Sequence, residues 1–339
     1  MSARPQLLPL NQVDHFYLGG QRISAFRRTG AAGATGGERR PEEWIASMTT
    51  MSSDPERGRS RLADGTLLSD AVTNDPDSWL GAAHVTAFGP STELLVKLLD
   101  AGQRLPVHLH PDRAFARRHL GLPHGKTEAW IVLEADPGAE VRVGFADTMR
   151  LAEVRALVDK QDTGALVESL RPLAVRHGDG VLVPAGVPHA IDAGIFVLEL
   201  QEPTDLSILL EWAGFAIDGR EDGHLGLGFD VALEALRLDA LDEGELDRLV
   251  LRGERTNLLP TAADPYFRAE RVRAGTRVEP GFVVALVTGG TGVLHTASGD
   301  RLDLERGDAV VVPYSAGAWW LDGTVDLIAG RPPRPDAAP

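Results

Sequence analysis

The hydrophobic positions of the chain follow two rhythms, and the switch between them divides it. From about residue 80 to 145 the apolar runs are short and strand-like. "ELLVKLLDAG" (93–102) is an apolar run closed by a Gly turn, and "AWIVLEA" and "EVRVGFA" are β-rich pieces separated by the turn "DPGA". Over 149–172 the rhythm becomes helical: Leu151, Val154, Leu157 and Val158 share a face, and Leu166, Val167 and Leu170 repeat it. Strands resume with "GDGVLVPAG", "IFVLELQE" and "LSILLEW". A second helical segment is predicted over 230–251, with Asp230 as its candidate N-cap. The tail from about 260 to 332 returns to strands.

Two of these stretches match in outline. "RHGDGVLVPAGVPHAI" and "LERGDAVVVPYSAGAW" both run Gly-Asp, three apolar residues, Pro, then a small-residue turn. The repeat predicts a mainly β protein built as two related β-barrels. The first, 1–148 with 173–228, carries a helical insert at 149–172. A helical connector spans 229–259, and the second barrel spans 260–335. The Gly/Ala-rich stretch 29–40 reads as a loop, more simply a passive one than a gate.

Composition narrows the function. The 339 residues suggest about two domains, and 43% hydrophobic content supplies a packed core. A net charge of −15 argues against a nucleic-acid partner. The absence of cysteine removes thiolate metal sites and leaves His and carboxylate as ligands. With no apolar run of signal-peptide or membrane-helix length, the reading is a soluble cytoplasmic protein with neither membrane nor nucleic-acid partner.

Residues i and i+2 of a strand share a face. His108 and His110 are such a pair in "LPVHLHPDRAFA", and Lys126 and Glu128 are another in "GKTEAW". If both strands line one barrel, two imidazoles, a carboxylate and an ammonium converge, and His189 of "VPAGVPHAI" joins them from a turn. Three His and one Glu suit one divalent first-row ion: Zn, Mn, Fe(II), Co or Ni. The other histidines, His15 and His124 among them, are read as structural, and Trp130, Trp319 and Trp320 as core or rim residues. His295 is the only histidine of the second barrel, which is therefore expected to hold no metal.

These stretches resemble type I phosphomannose isomerases of the cupin superfamily. "HLHP", "GKTEAW" and "PAGVPHA" correspond to the family's metal-site stretches. "YLGGQRISAF", "PEEWIAS", "ELLVKLLDAG" and "VLELQEPTDLS" extend the likeness over nearly the whole chain in order. The resemblance implies two cupin (jelly-roll) barrels and zinc held by His108, His110, Glu128 and His189. It also implies Lys126 facing a sugar or sugar-phosphate substrate, and interconversion of mannose 6-phosphate and fructose 6-phosphate through an enediol. Glu199, on one strand face with Gln201, is a candidate proton carrier if burial raises its pKa, and otherwise orients the histidines. Asp205 reads as a turn residue.

Two departures stand out. His108 replaces the family's leading Gln ligand. Leu209 occupies the place of the family's active-site Arg, and no Lys or Arg occurs from His177 to Gly219. Arg113, Arg117, Arg118 or Lys97 are the candidates to replace it. A phosphate dianion wants Arg or Lys forks, so the pattern also accommodates an unphosphorylated sugar. Three His and a Glu serve cupin oxidases and dioxygenases as well, and a non-catalytic sugar-binding cupin is the third reading.

Overall fold

The computed structural model describes residues 3–28 and 39–337. The stretch expected as a loop at 29–40 therefore lies, for 29–38, outside the described residues. Strands dominate and form four antiparallel sheets among those residues. One seven-stranded sheet runs Val250–Leu251, Gly180–Val183, Glu128–Ala135, Ile195–Gln201, Leu95–Asp100, Glu42–Ile45, Gln12–Val13. Opposite it, a five-stranded sheet runs Ile208–Leu209, His108–Leu109, His189–Ile191, Glu140–Phe145, Leu170–Ala174. The second pair contains Val283–Gly289, Asp326–Arg331, Ala309–Val312 and Arg268–Arg273 in one sheet, and Thr291–Thr296, Arg301–Glu305 and Trp319–Gly323 in the other.

Strand alternation decides where each side chain goes. In the seven-stranded sheet one face contributes Leu99, Trp130, Val132, Val181, Val183 and Val197 to the first barrel's interior. The other face, with Val96, Leu98, Ala129, Ile131, Leu198 and Leu200, joins Val284, Leu286, Val311 and Ile328 of the second barrel in one core. Both faces are buried, so the strands read as near-continuous apolar runs. Among the polar exceptions, Lys97, Glu128 and Glu199 belong to the inward face, and Glu43 belongs to the other. Val154, Val158 and Leu166 of the helical insert cover the outer side of the histidine-bearing sheet, against Leu109, Ala190 and Ile208. The matching "GD" segments make the same turn twice. Gly178 and Gly307 have φ of 85° and 95°, and Asp179 and Asp308 each accept from the N–H three residues earlier, Arg176 at 3.2 Å and Glu305 at 2.9 Å.

Several boundaries differ from the sequence reading. Gln6–Leu7 pairs with Val310–Val311, so the N-terminal strand belongs to the second pair of sheets. Ala82–Phe88 is helical, set off by Gly81 and Gly89 at positive φ. In the insert, Gln161 adopts φ 51° and ends the first helix, Leu151–Lys160; its side-chain oxygen accepts from the Trp212 and Ala213 N–H groups. The next helix, Thr163–Ser169, stops before Leu170, which opens a strand. The segment 230–251 is not one helix, and Asp230 is not its cap. Phe229–Ala232 follows Gly228, Leu236 turns extended, and Arg237 donates its N–H to the Gly186 carbonyl at 2.8 Å. Helix Glu243–Leu249 restarts on a capping box between Asp242 and Glu245. The D-x-x-E signal for that restart, Asp242 to Glu245, stands within the apolar periodicity.

A buried charge marks this scaffold. The Glu43 side chain is 1% exposed and meets Arg27 Nε at 3.1 Å, while its Oε2 has no hydrogen-bond partner. Burial outweighs the Arg27 charge and raises its pKa from 4.5 to about 7. The folded chain thus holds a proton that the unfolded chain has released, and stability from this group falls as pH rises between those two values. Glu43→Gln is expected to flatten the fall of Tm between about pH 5 and 7. Thermal melts of both proteins across that range check it; an unchanged slope contradicts it.

Candidate metal centre and substrate cavity

Two adjacent strands bring the histidines together, His108–Leu109 with His110 just past its end, and His189–Ile191. His108 is register partner to His189 on one side and to Leu209 on the other. The possible ligand atoms of His108, His110 and His189 lie within 4.8 Å of one another, and all three residues are buried. Glu128 begins the facing strand. Its Oε2 is 2.9 Å from His110 Nε2, and its Oε1 is 3.3 Å from His189 Nε2.

Proton bookkeeping identifies what the cluster wants. Each Nδ1 meets a backbone carbonyl: His108 that of Pro106 at 2.8 Å, His110 that of Leu206 at 2.7 Å, His189 that of Val187 at 2.9 Å. A carbonyl only accepts, so each Nδ1 carries the proton and each Nε2 presents a lone pair. Burial and the neighbouring imidazoles hold His108 well below the usual histidine range. Burial and the Lys126 charge take His110 to about 3. Burial alone disfavours the Glu128 carboxylate, but its surroundings, the Lys126 ammonium among them, more than offset it and hold the group well below its usual range. The buried Nε2 atoms of His110 and His189 have no hydrogen-bond partner. Lone pairs therefore face a carboxylate with no proton between them, and a divalent cation fits the gap. Trp130 Nε1 donates to Glu128 Oε1 at 3.0 Å and steadies it.

Beside this cluster lies a cavity of about 500 Å³, part of it open to solvent. Lys126 lines it, with Nζ 3.4 Å from Glu128 Oε2. Glu199 lines it too, its Oε1 lacking a hydrogen-bond partner and 3.6 Å from Lys97 Nζ. Burial outweighs the Lys97 charge and raises Glu199 from 4.5 to about 7. The role of orienting the histidines falls to backbone carbonyls instead. Gln201 turns away and donates to the Thr204 carbonyl. Lys97, 2% exposed, also reaches Glu42 at 3.3 Å. Burial opposes its charge, but Glu42 and Glu199 hold the ammonium above the ordinary lysine range.

Sequence reasoning missed one wall of this cavity. His15, expected to be structural, sits 3.1 Å from Glu42 Oε2, which also accepts from Trp44 Nε1 at 2.7 Å, and the Tyr17 hydroxyl donates to the other Glu42 oxygen. Burial disfavours the Glu42 charge, and His15 and Lys97 outweigh it. The signal was present: a lysine inside "ELLVKLLDAG" and paired acids in "PEEW" are charges in apolar strands. Asp205 lies in an irregular segment; its carboxylate accepts from the Ser52 N–H at 2.8 Å while lining the cavity. His124 is held by Glu93 at 2.9 Å and does not line it.

Leu209, 3% exposed, lines the cavity where the resemblance led one to look for Arg. Arg113 is bound to Glu202 at 2.5 Å and lies over the Tyr266 ring. Arg117 and Arg118 are exposed on a π-helical turn away from the lining. Of the four proposed replacements only Lys97 reaches the cavity, and it is already committed to two carboxylates.

Two facing β-barrels with a buried histidine cluster in one of them define a metal-site cupin. No sequence-family profile matches the chain. It is 30% identical to a mannose-6-phosphate isomerase of Streptococcus mutans over 74% of this chain and 79% of that protein. It is 28% identical to mannose-6-phosphate isomerase ManA of Bacillus subtilis over 72% and 76%. Its fold matches the crystal structure of mannose 6-phosphate isomerase from Bacillus subtilis with a TM-score of 0.70 at 21% identity, covering 97% and 99% of the two chains. A phosphomannose isomerase variant from Salmonella typhimurium gives 0.72 at 16%, covering 98% and 100%. The chain belongs to the mannose-6-phosphate isomerase family.

Metal removal tests the cluster. Chelation is expected to lower Tm, since a ligand at a hundredfold excess over Kd stabilises by about 2.7 kcal/mol. Zinc should restore it, and Glu128→Gln should shrink the shift. A melting curve indifferent to chelator contradicts a cation there.

Proposed function

We propose that the chain is a metal-dependent aldose–ketose isomerase whose ion, zinc in the first instance, is held by His108, His110, Glu128 and His189. The observation that carries this is the set of inward lone pairs with no proton among them, next to a cavity that ends on Glu199. An ion bound there supplies positive charge for the negative charge that develops on the sugar oxygens during enolisation. The remaining work belongs to side chains. Glu199 as carboxylate takes the proton from the sugar carbon next to the carbonyl, giving an enediolate, and returns it to the neighbouring carbon while the hydroxyl proton passes from one sugar oxygen to the other. Lys97 keeps Glu199 aimed into the cavity. Lys126 donates hydrogen bonds to sugar oxygens.

Family membership supports mannose 6-phosphate and fructose 6-phosphate as the pair. The lining supports a sugar without the phosphate. Leu209 is apolar, and Lys97 and Lys126 already face Glu42, Glu199 and Glu128, which leaves no free cationic fork for a dianion among the residues that line this cavity. The reading is therefore family chemistry on an uncharged hexose such as mannose. A catalytic protein of this kind in the cytoplasm is consistent with the finding that no helix among the described residues is long and apolar enough to cross a membrane.

Zinc-loaded protein in D₂O with mannose or mannose 6-phosphate, followed by NMR, tests both parts. Deuterium should enter C2 of free mannose faster than C2 of the ester. Exchange confined to the ester contradicts the uncharged substrate, and exchange into neither contradicts isomerisation of these sugars. Glu199→Gln should lower kcat by about 10²–10⁴-fold with KM little changed. It should also remove the limb of the pH profile that rises through the Glu199 pKa, near 7 or below it once a cation is bound. A variant that keeps both kcat and that limb excludes Glu199 as the proton carrier.

A further inference from the structure

The second barrel carries a cationic feature that the isomerase reading does not use. Arg268 and Arg331 are direct cross-strand partners. Like charges facing each other across an antiparallel pair are destabilising. Both residues continue the inward rows of their strands, beyond Val272 on one and Leu327 and Ala329 on the other, which form the barrel's interior. Arg331 is 7% exposed, and its Nε is buried without a hydrogen-bond partner. Arg334 follows three residues later and has no ion-pair partner among the described residues.

The neighbours leave this charge largely unanswered. Arg268 donates to the Pro332 carbonyl at 3.2 Å, and its nearest acid, Glu270, is 4.0 Å away. Arg331 donates to the backbone carbonyl of Glu279 at 3.0 Å, not to its carboxylate. Burial and the mutual repulsion with Arg331 and Arg334 lower the Arg268 pKa, and burial also lowers that of Arg331. Gly281 gives the guanidinium room, since a Cβ there would stand 2.9 Å from Arg331 Nη1. The three arginines line a cavity of about 1070 Å³, partly open, in which five arginines meet three carboxylates. Such an excess of cations is unusual on a chain of net charge −15.

We infer that Arg268, Arg331 and Arg334 form a binding site in the second barrel for the phosphoryl group of a small molecule. Guanidinium forks match phosphoryl oxygens in planar, charge-assisted pairs. A dianion between Arg268 and Arg331 turns a repulsive register pair into a bridged one. The site is separate from the histidine cluster, so a phosphorylated metabolite can occupy it while the first barrel handles a sugar.

Calorimetric titration of the full chain with inorganic phosphate and, separately, glucose 6-phosphate tests this, with ionic strength held constant by sodium chloride. Saturable binding at one site is expected. Arg334→Ala, at an exposed position, should weaken it by about tenfold or more, equivalent to about 1.4 kcal/mol. Arg268→Gln should abolish it and, without phosphate, melt no lower than the parent because a like-charge pair is gone. Tighter binding of the ester points to a sugar phosphate, and tighter binding of inorganic phosphate points to the free anion; either sustains the phosphoryl site. Absence of saturable binding, or binding unchanged in both variants, overturns it.

Discussion

Three imidazoles and a carboxylate that turn their lone pairs toward one point are unstable neighbours without a cation. The surrounding fold supports that arrangement at every contact. The Nδ1 protons are fixed by the carbonyls of Pro106, Leu206 and Val187, so the rings cannot relieve the clash by changing tautomer. Rotation is restricted because the strands carrying His108 and His189 are in register. Outside them, the helical insert seals Leu109 and Ala190, which keeps the sheet's inner face pointing inward. The barrel holds these four polar side chains in its interior because each is oriented by a second partner.

The same economy governs the rest of the cavity. A buried ammonium is tolerable when paired, and Lys97 lies between Glu42 and Glu199 while resting on the Trp44 ring. Glu42 is further satisfied by His15, Tyr17 and Trp44 and stays ionised. Glu199 has fewer partners and is the carboxyl that burial drives up. Two acids on either side of one lysine are thus pushed apart in pKa, because His15 and the hydrogen bonds of Tyr17 and Trp44 reach only Glu42.

Much of this was legible in the sequence because strand periodicity is local. The i, i+2 spacing of His108 and His110, and of Lys126 and Glu128, fixes a common face without knowledge of the fold. The turn before His189 is carried by Pro and Gly. Leu209 stands out as a missing cation through the family resemblance, and the long stretch without Lys or Arg around it widens the gap. What escaped depends on distant pairings. His15 and Glu42 reach the cavity only through strand partners far along the chain, and Arg268 faces Arg331 across 63 residues of sequence. The break in 230–251 escaped for another reason: apolar periodicity persisted through a segment whose backbone groups are used by Gly186 and Phe145.

The measurement that bears most directly on the cation is anomalous diffraction from crystals of the zinc-loaded protein, collected on both sides of the absorption edge. The expected result is one peak in the first barrel, about 2.0–2.2 Å from the Nε2 atoms of His108, His110 and His189 and from a Glu128 oxygen. The absence of a peak between those side chains, or ligation through Nδ1, would contradict the lone-pair arrangement from which the function is inferred.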